Sequence, residues 1–174
     1  MGVYKIFPSQ DTTIYTDYNT LNAGLDSILD LSKSASILYP SSSTSRILIK
    51  FDNADLLNAI SKTSGLYTAS LKLYNANVEG IPTDFNIQVL PLYESWDMGT
   101  GRFNNIPETD DGASWKYKNA NQANAWNVGG APGSSYYSGN VGGGTWYTLF
   151  NITQSFSYFS TKDINLNVTP IVSS

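Results

Sequence analysis

The side chains here that could make or break bonds are carboxylates, because the sequence contains neither histidine nor cysteine. Without histidine the commonest general base, the commonest zinc ligand and the usual partner of a nucleophilic serine are gone. Without cysteine there are no disulfides and no thiolate metal sites. Glu108, Asp110 and Asp111 sit close together, and Glu94 and Asp97 flank Trp96. A glycosidase needs two carboxylates roughly 5–9.5 Å apart across a cleft. Nothing in these spacings marks such a pair, so the plain reading is solvated turn residues, and no enzymatic activity is expected. The loop with Glu108, Asp110 and Asp111 also offers oxygen ligands of the kind Ca²⁺ takes, although EF-hand spacing is lacking. A structural calcium there stands as a candidate beside an ordinary acidic turn, and no other cofactor is expected.

A second chemical signal is aromatic. Trp96, Trp115, Tyr117, Trp126, Tyr136, Tyr137 and Trp146 lie in polar, strand-poor stretches. Rings presented from loops can anchor a protein interface or stack on a sugar, and rings that fold back can cover the ends of a core. The residue types leave all three readings open. Charge narrows the partners: net charge is −4, and the ten Lys and Arg are scattered. Phosphate contacts need clustered cations, so neither nucleic acid nor an anionic membrane surface is an expected partner.

Charged residues make up only 14% of the 174, so the polar surface must come from Ser, Thr, Asn, Gly and Tyr. The start, Met1-Gly2-Val3-Tyr4-Lys5-Ile6, has no signal-peptide pattern, and Ile6 breaks the myristoylation motif that Gly2 would open. Synthesis in a cytoplasm without the secretory route is the expectation, so the sequons at Asn151 and Asn167 carry little weight. Gly142-Gly143-Gly144 lacks the Lys-Ser/Thr of a phosphate loop.

The elements that must position these residues read as strands. Period-two patterns or β-prone runs cover Val3–Phe7, Thr12–Thr16, Ser27–Ser32, Arg46–Asp52, Ala69–Tyr74, Phe85–Leu92, Thr145–Phe150, Ser155–Tyr158 and Asp163–Val168. In the Arg46 run, Ile47, Ile49 and Phe51 share one expected inner face and Arg46, Lys50 and Asp52 the other. In the Ala69 run, Ala69, Leu71 and Leu73 point inward. Leu56, Leu57 and Ile60 give 53–60 the only helical spacing. Long loops are expected at Ser41–Ser45, Trp96–Asn127 and Gly129–Gly144. The whole reads as an all-β chain, one antiparallel sandwich over 1–174 with one short helix and long polar loops.

One ordered series of segments carries a resemblance. It comprises Asp11-Thr12-Thr13-Ile14-Tyr15, Asn22-Ala23-Gly24, Ile28-Leu29-Asp30-Leu31 and Arg46-Ile47-Leu48-Ile49-Lys50-Phe51-Asp52. Ala69–Tyr74, Val89–Trp96, Gly112-Ala113-Ser114-Trp115 and Asp163–Thr169 follow. The series resembles the DNRLRE-type domain, a jelly-roll β-sandwich related to carbohydrate-binding modules, in the form carried by virion structural proteins of tailed phages. The resemblance implies a jelly roll and a structural place in head, neck, tail or baseplate. It implies other virion proteins and copies of the chain itself as partners, with a host or environmental polysaccharide as the alternative. Such domains continue past the last segment with a Trp, a Gly turn and a further strand. On that comparison the chain is expected to lack the C-terminal strand or strands of a longer protein. Within the series, Asn22-Ala23-Gly24 is expected to be a turn between strands, and Asp11 to fix a turn.

Overall fold

The computed structural model describes residues 2–35, 42–76, 84–106, 109, 111–119, 124–126, 134–137, 140–147, 149–157, 160 and 162–174. The fold is all-β: strands β1 (Gln10–Tyr15), β2 (Lys33–Ala35), β3 (Ser42–Lys50), β4 (Ser70–Leu73), β5 (Phe85–Val89), β6 (Ser134–Tyr137), β7 (Asn140–Thr145), β8 (Ile152–Phe156) and β9 (Ile164–Asn167), with helices α1 (Asn53–Ser61) and α2 (Thr169–Val172). All pairing among the described residues is antiparallel, in the orders β1-β3-β2, β4-β9, β5-β8 and β6-β7. The chain divides into two compact units, 1–59 with 92–146, and 60–91 with 147–174.

In the first unit β1 lies against β3 with Thr12 opposite Leu48, Thr13 opposite Ile47 and Ile14 opposite Arg46. Residues Thr12 to Tyr15 are all buried, so both faces of β1 are covered. Thr12 and Ile14 share a face with Leu48 and Arg46, and Ile14 and Leu48 belong to a cluster with Trp96, Ala113, Trp115 and Trp126. Tyr15 packs with Leu21 and Ala23 in a second cluster. The expected inner face of β3 is therefore inverted. Leu48 is closed off and Arg46 lies on its side of the strand, whereas Ile47 and Ile49 are half-buried. A cation can take that position because the guanidinium is only partly buried and lies over two aromatic rings, as described below.

Other strand expectations change as well: residues 134–137 and 140–145, nearly all within the long loop expected at Gly129–Gly144, form β6 and β7, whereas 147, 149 and 150, read as strand, are irregular. Residues 3–7 are irregular, with Val3, Tyr4 and Phe7 exposed. The segment 27–32 is also irregular, because hydroxyls take the place of a ladder. Asp30 N–H donates to Thr13 Oγ1 (2.9 Å), Ser32 N–H donates to Ser45 Oγ (2.6 Å), and Ser45 Oγ donates to the Asp30 carbonyl (2.8 Å). Backbone groups satisfied by side chains have no need of a neighbouring strand. Ser42–Ser45, read as loop, forms the first half of β3 and pairs β2. Asp11, expected at a turn, lies within β1 opposite Ile49.

Helix α1 falls where the spacing places it. Asp52 Oδ1 accepts the Ala54 amide at 2.7 Å, occupying one of the donors that a helix N-terminus leaves open. In the second unit the alternation holds as expected. Leu71 and Leu73 on β4 pair Leu166 and Ile164 on β9, and Leu73, Ile164 and Leu166 pack with Phe85, Ile87, Val89, Ile152, Phe156 and Val168. Phe85 and Phe156 face each other across the β5–β8 pair, stacked 4.8 Å apart. The Gln154 amide joins β8 to β9 as a backbone unit would. Its Nε2 donates to the Asp163 carbonyl (2.9 Å) and its Oε1 accepts the Asn165 amide (2.7 Å).

Candidate functional site

The stretch from Trp96 to Trp126 has little strand pattern, yet backbone hydrogen bonds tie down several of its described residues. The Ala113 amide donates to Asp97 O (2.7 Å), Asp97 N–H to Lys118 O (3.1 Å), Lys118 N–H to Asn124 O (2.9 Å) and Lys116 N–H to Asn19 O (2.9 Å). An ion pair joins Lys118 Nζ to Glu94 Oε1, whose side chain is nearly closed off.

Asn22 organises this region from outside the stretch. Its side chain is buried and uses every hydrogen-bonding position it has. Nδ2 donates to Met98 O and to Ala113 O, each at 2.8 Å. Oδ1 accepts from Gly24 N (3.2 Å) and Gly101 N (2.8 Å). The backbone comes this close only because glycine surrounds the amide. A Cβ on Gly99 or on Gly112 would stand 2.6 Å from the Asn22 side chain, and both glycines have positive φ, +77° and +75°. Asn22-Ala23-Gly24 is thus a buried hub rather than a simple turn between strands.

Trp96, Trp115 and Trp126 are 3%, 1% and 1% exposed, so none of the three presents a ring face to a partner or a sugar. Their burial follows from the ties just described, which fold the segment back over Ile14 and Leu48. The Trp126 indole N–H donates to Ser114 O at 3.0 Å. Tyr117 is half-buried, bridges Ala125 and lies under the Lys116 ammonium, 4.9 Å from the ring centre. Trp146 is half-buried and pairs Leu92. Between Trp146 and Trp115 lies Arg46, its guanidinium carbon 4.7 Å and 4.6 Å from the two ring centres, with Nη1 donating to Gly143 O at 2.5 Å. The backbone of Tyr136 and Tyr137 belongs to β6, which pairs β7.

Of the calcium candidates, Glu108 and Asp110 lie outside the described residues. Asp111 accepts from Thr100 N–H (3.1 Å) and from Thr100 Oγ1 (2.7 Å). Burial raises its pKa, but these hydrogen bonds outweigh that and hold the carboxyl below its usual range. Among the described residues no group of three acidic side chains is placed to hold a metal.

The structure also shows a surface that the sequence pattern hid. Leu25, Ile28 and Leu31 are 41%, 64% and 45% exposed, although the backbone beneath them is fixed. Thr13 and Ser45 hold it from one side; from another, Leu25 N–H donates to Gly101 O (2.9 Å), Arg102 Nη1 to Leu25 O (2.6 Å) and Phe103 N–H to Asp26 Oδ2 (3.0 Å). Phe103 and Tyr18, both about half exposed, pack edge-on to each other, and both contact Tyr15. The sequence signal for this ledge is the apolar run Ile28-Leu29-Asp30-Leu31, which the strand template claims first.

Compared with family models, with curated proteins and with solved structures, the chain matches none.

Proposed function

We propose that the chain is a non-catalytic structural component of a tailed-phage virion, made in the host cytoplasm and working by packing against other virion proteins and copies of itself. The jelly-roll arrangement implied by the resemblance is part of the same proposal. The observation that carries it is the ledge at 25–31. Apolar side chains held out on a rigid backbone lose little conformational entropy when a partner covers them, which favours protein docking. A standard interface buries about 1,600 Å² around a few anchors. Leu25, Ile28, Leu31, Tyr18 and Phe103 are suited to that role. The carbohydrate-binding alternative has less support, since three of the four tryptophans it would use are closed inside the core.

The test is mass spectrometry of purified particles of the phage that encodes the chain, with and without Leu25→Asp combined with Ile28→Asp. Wild-type chain is expected in fixed copy number and the variant absent, while the isolated variant melts within about 2 °C of wild type, as exposed substitutions usually do. Absence of the wild-type chain from particles would refute the virion reading. Undiminished incorporation of the variant would remove the ledge from it.

A further inference from the structure

We infer that the chain associates head to tail with copies of itself, the ledge at 25–31 of one copy covering the strip Val3–Phe7 and the adjoining face of α1 on the next. The inference rests on the reading of the ledge as a docking surface and names its occupant. The first unit carries a second apolar surface: Val3 and Phe7 are 83% and 79% exposed, Tyr4 is about half exposed, and Leu57 on α1 is 66% exposed. The backbone leading out of this strip is fixed, because Ser9 N–H and Ser9 Oγ both donate to Lys50 O, at 2.8 Å and 3.2 Å. Residues 4–7 and the α1 residues Asp55, Asn58 and Ala59 line an open cavity of about 280 Å³. A cavity of that kind takes a projecting aliphatic anchor such as Ile28.

The two surfaces lie at opposite ends of one ladder. β1 and β3 pair from Gln10 opposite Lys50 to Tyr15 opposite Ser45, a length of about 17 Å at about 3.4 Å per residue. The strip enters at the Gln10 end. The ledge is tied at the other, where Ser32 N–H donates to Ser45 Oγ and where Tyr18 and Phe103 contact Tyr15. A copy whose strip lies against α1 and is held at Lys50 cannot cover its own ledge, whereas a second copy can. Charge favours this pairing over contact between two ledges. At the ledge Asp17, Asp26 and Asp30 outnumber Arg102 and Lys33, and none of the three carboxylates has an ion-pair partner among the described residues. Asp26 and Asp30 both act on the Tyr15 hydroxyl, so they stand near each other, and two ledges face to face would oppose these like charges. Lys5 stands between Val3 and Phe7, is exposed and forms no ion pair among the described residues. Lys5 and Lys50 balance Asp52 and Asp55, so that end adds no net repulsion. The strip thus brings apolar side chains and a cation to a surface that offers apolar side chains and carboxylates. Contact between two different patches is heterologous, and it propagates into a ring or a filament rather than stopping at a dimer.

Sedimentation velocity of the purified chain at about 100 μM, above the micromolar end of the affinity range of standard interfaces, tests it. Wild type is expected to form dimers and larger species. Val3→Asp with Phe7→Asp, and Leu25→Asp with Ile28→Asp, are each expected to be monomeric alone. An equimolar mixture of the two is expected to form a 1:1 pair that grows no further, because each supplies the face the other has lost. Monomeric wild type would overturn the inference, as would a mixture that stays monomeric or a variant that self-associates as strongly as wild type. Lys5→Glu is expected to weaken association about tenfold, and Asp30→Lys in the same chain to restore it. Absence of restoration would overturn the pairing of strip and ledge, and this charge reversal decides if the aspartate variants fail to melt as folded chains. None of these results bears on presence in particles, so failure here is distinct from failure of the virion reading.

Discussion

Replacing Asn22 gives the sharpest test of how the first unit is held together. Asn22→Ala leaves two backbone N–H groups and two carbonyls without partners in a buried place. Each buried polar group left unpaired costs about 1–3 kcal/mol, and water entering the vacated space recovers part of that, so the expected loss is about 4 kcal/mol. At a urea slope of about 2 kcal/mol per M, typical for a small domain, the midpoint falls by about 2 M with the slope unchanged. All four tryptophans lie in the first unit, so their fluorescence reports on it. Asn22→Asp keeps the shape and the oxygen that accepts from Gly24 and Gly101, but it turns a second oxygen toward Met98 O and Ala113 O. Burial and those carbonyls disfavour the charged form, so the folded-state pKa of the new carboxyl is raised. Above the ordinary Asp value of about 3.9 the folded chain then holds a proton that the unfolded chain has released, and stability falls as pH rises through that window. The Asp variant is therefore expected to be closest to wild type below about pH 4 and weakest near neutrality. A loss below about 1 kcal/mol in Asn22→Ala, or an Asp variant whose deficit does not change with pH, would refute the hub.

Gly112→Ala places a methyl 2.4 Å from Gly99 Cα at a positive φ and should cost about 3 kcal/mol or more by urea unfolding, whereas Gly65→Ala, with open space around it, should stay within about 0.5 kcal/mol of wild type. Burial, with the Asp30 carboxylate second, pushes the Tyr15 hydroxyl from 10.0 up to about 12. Between those values the folded chain keeps a proton that the unfolded chain has lost, so this contribution is complete below pH 10 and disappears as pH rises toward 12. Melting temperatures at pH 9 and pH 11 should show a smaller alkaline drop in Tyr15→Phe than in wild type; equal drops would contradict the assignment. In Gln154→Ala the Asn165 amide loses its acceptor, and its hydrogen exchange should accelerate while amides paired within β5–β8 keep theirs; unchanged exchange at Asn165 would show that the amide bridge does not join β8 to β9.

The legible parts of the fold are those where side-chain period and backbone pairing say the same thing. Leu71 and Leu73, Ile164 and Leu166 alternate in sequence and pair across β4 and β9, with Leu73, Ile164 and Leu166 in one cluster, and 53–60 carries helical spacing and becomes α1. The runs at 3–7 and 27–32 look equally β-prone but do not pair, because strand propensity records fit to a half-buried surface and says nothing about whether a neighbour is there. The aromatic residues show the same limit. Their placement in polar stretches suggested an exposed function, whereas backbone ties distant in sequence, from Asn19 to Lys116 and from Asp97 to Ala113, fold three of the tryptophans inward.

The sequence by itself determined the all-β class, the single longer helix, the alternating faces of the second unit and the absence of histidine and cysteine chemistry, since each depends on local composition or a short period. Tertiary structure alone decided that Arg46 points at two indoles, that Asn22 joins Met98, Ala113, Gly24 and Gly101, and that Leu25, Ile28 and Leu31 stay in water. Those outcomes turn on which distant segment arrives opposite a residue and how near its backbone can come, and neither is encoded within the reach of a few neighbouring side chains.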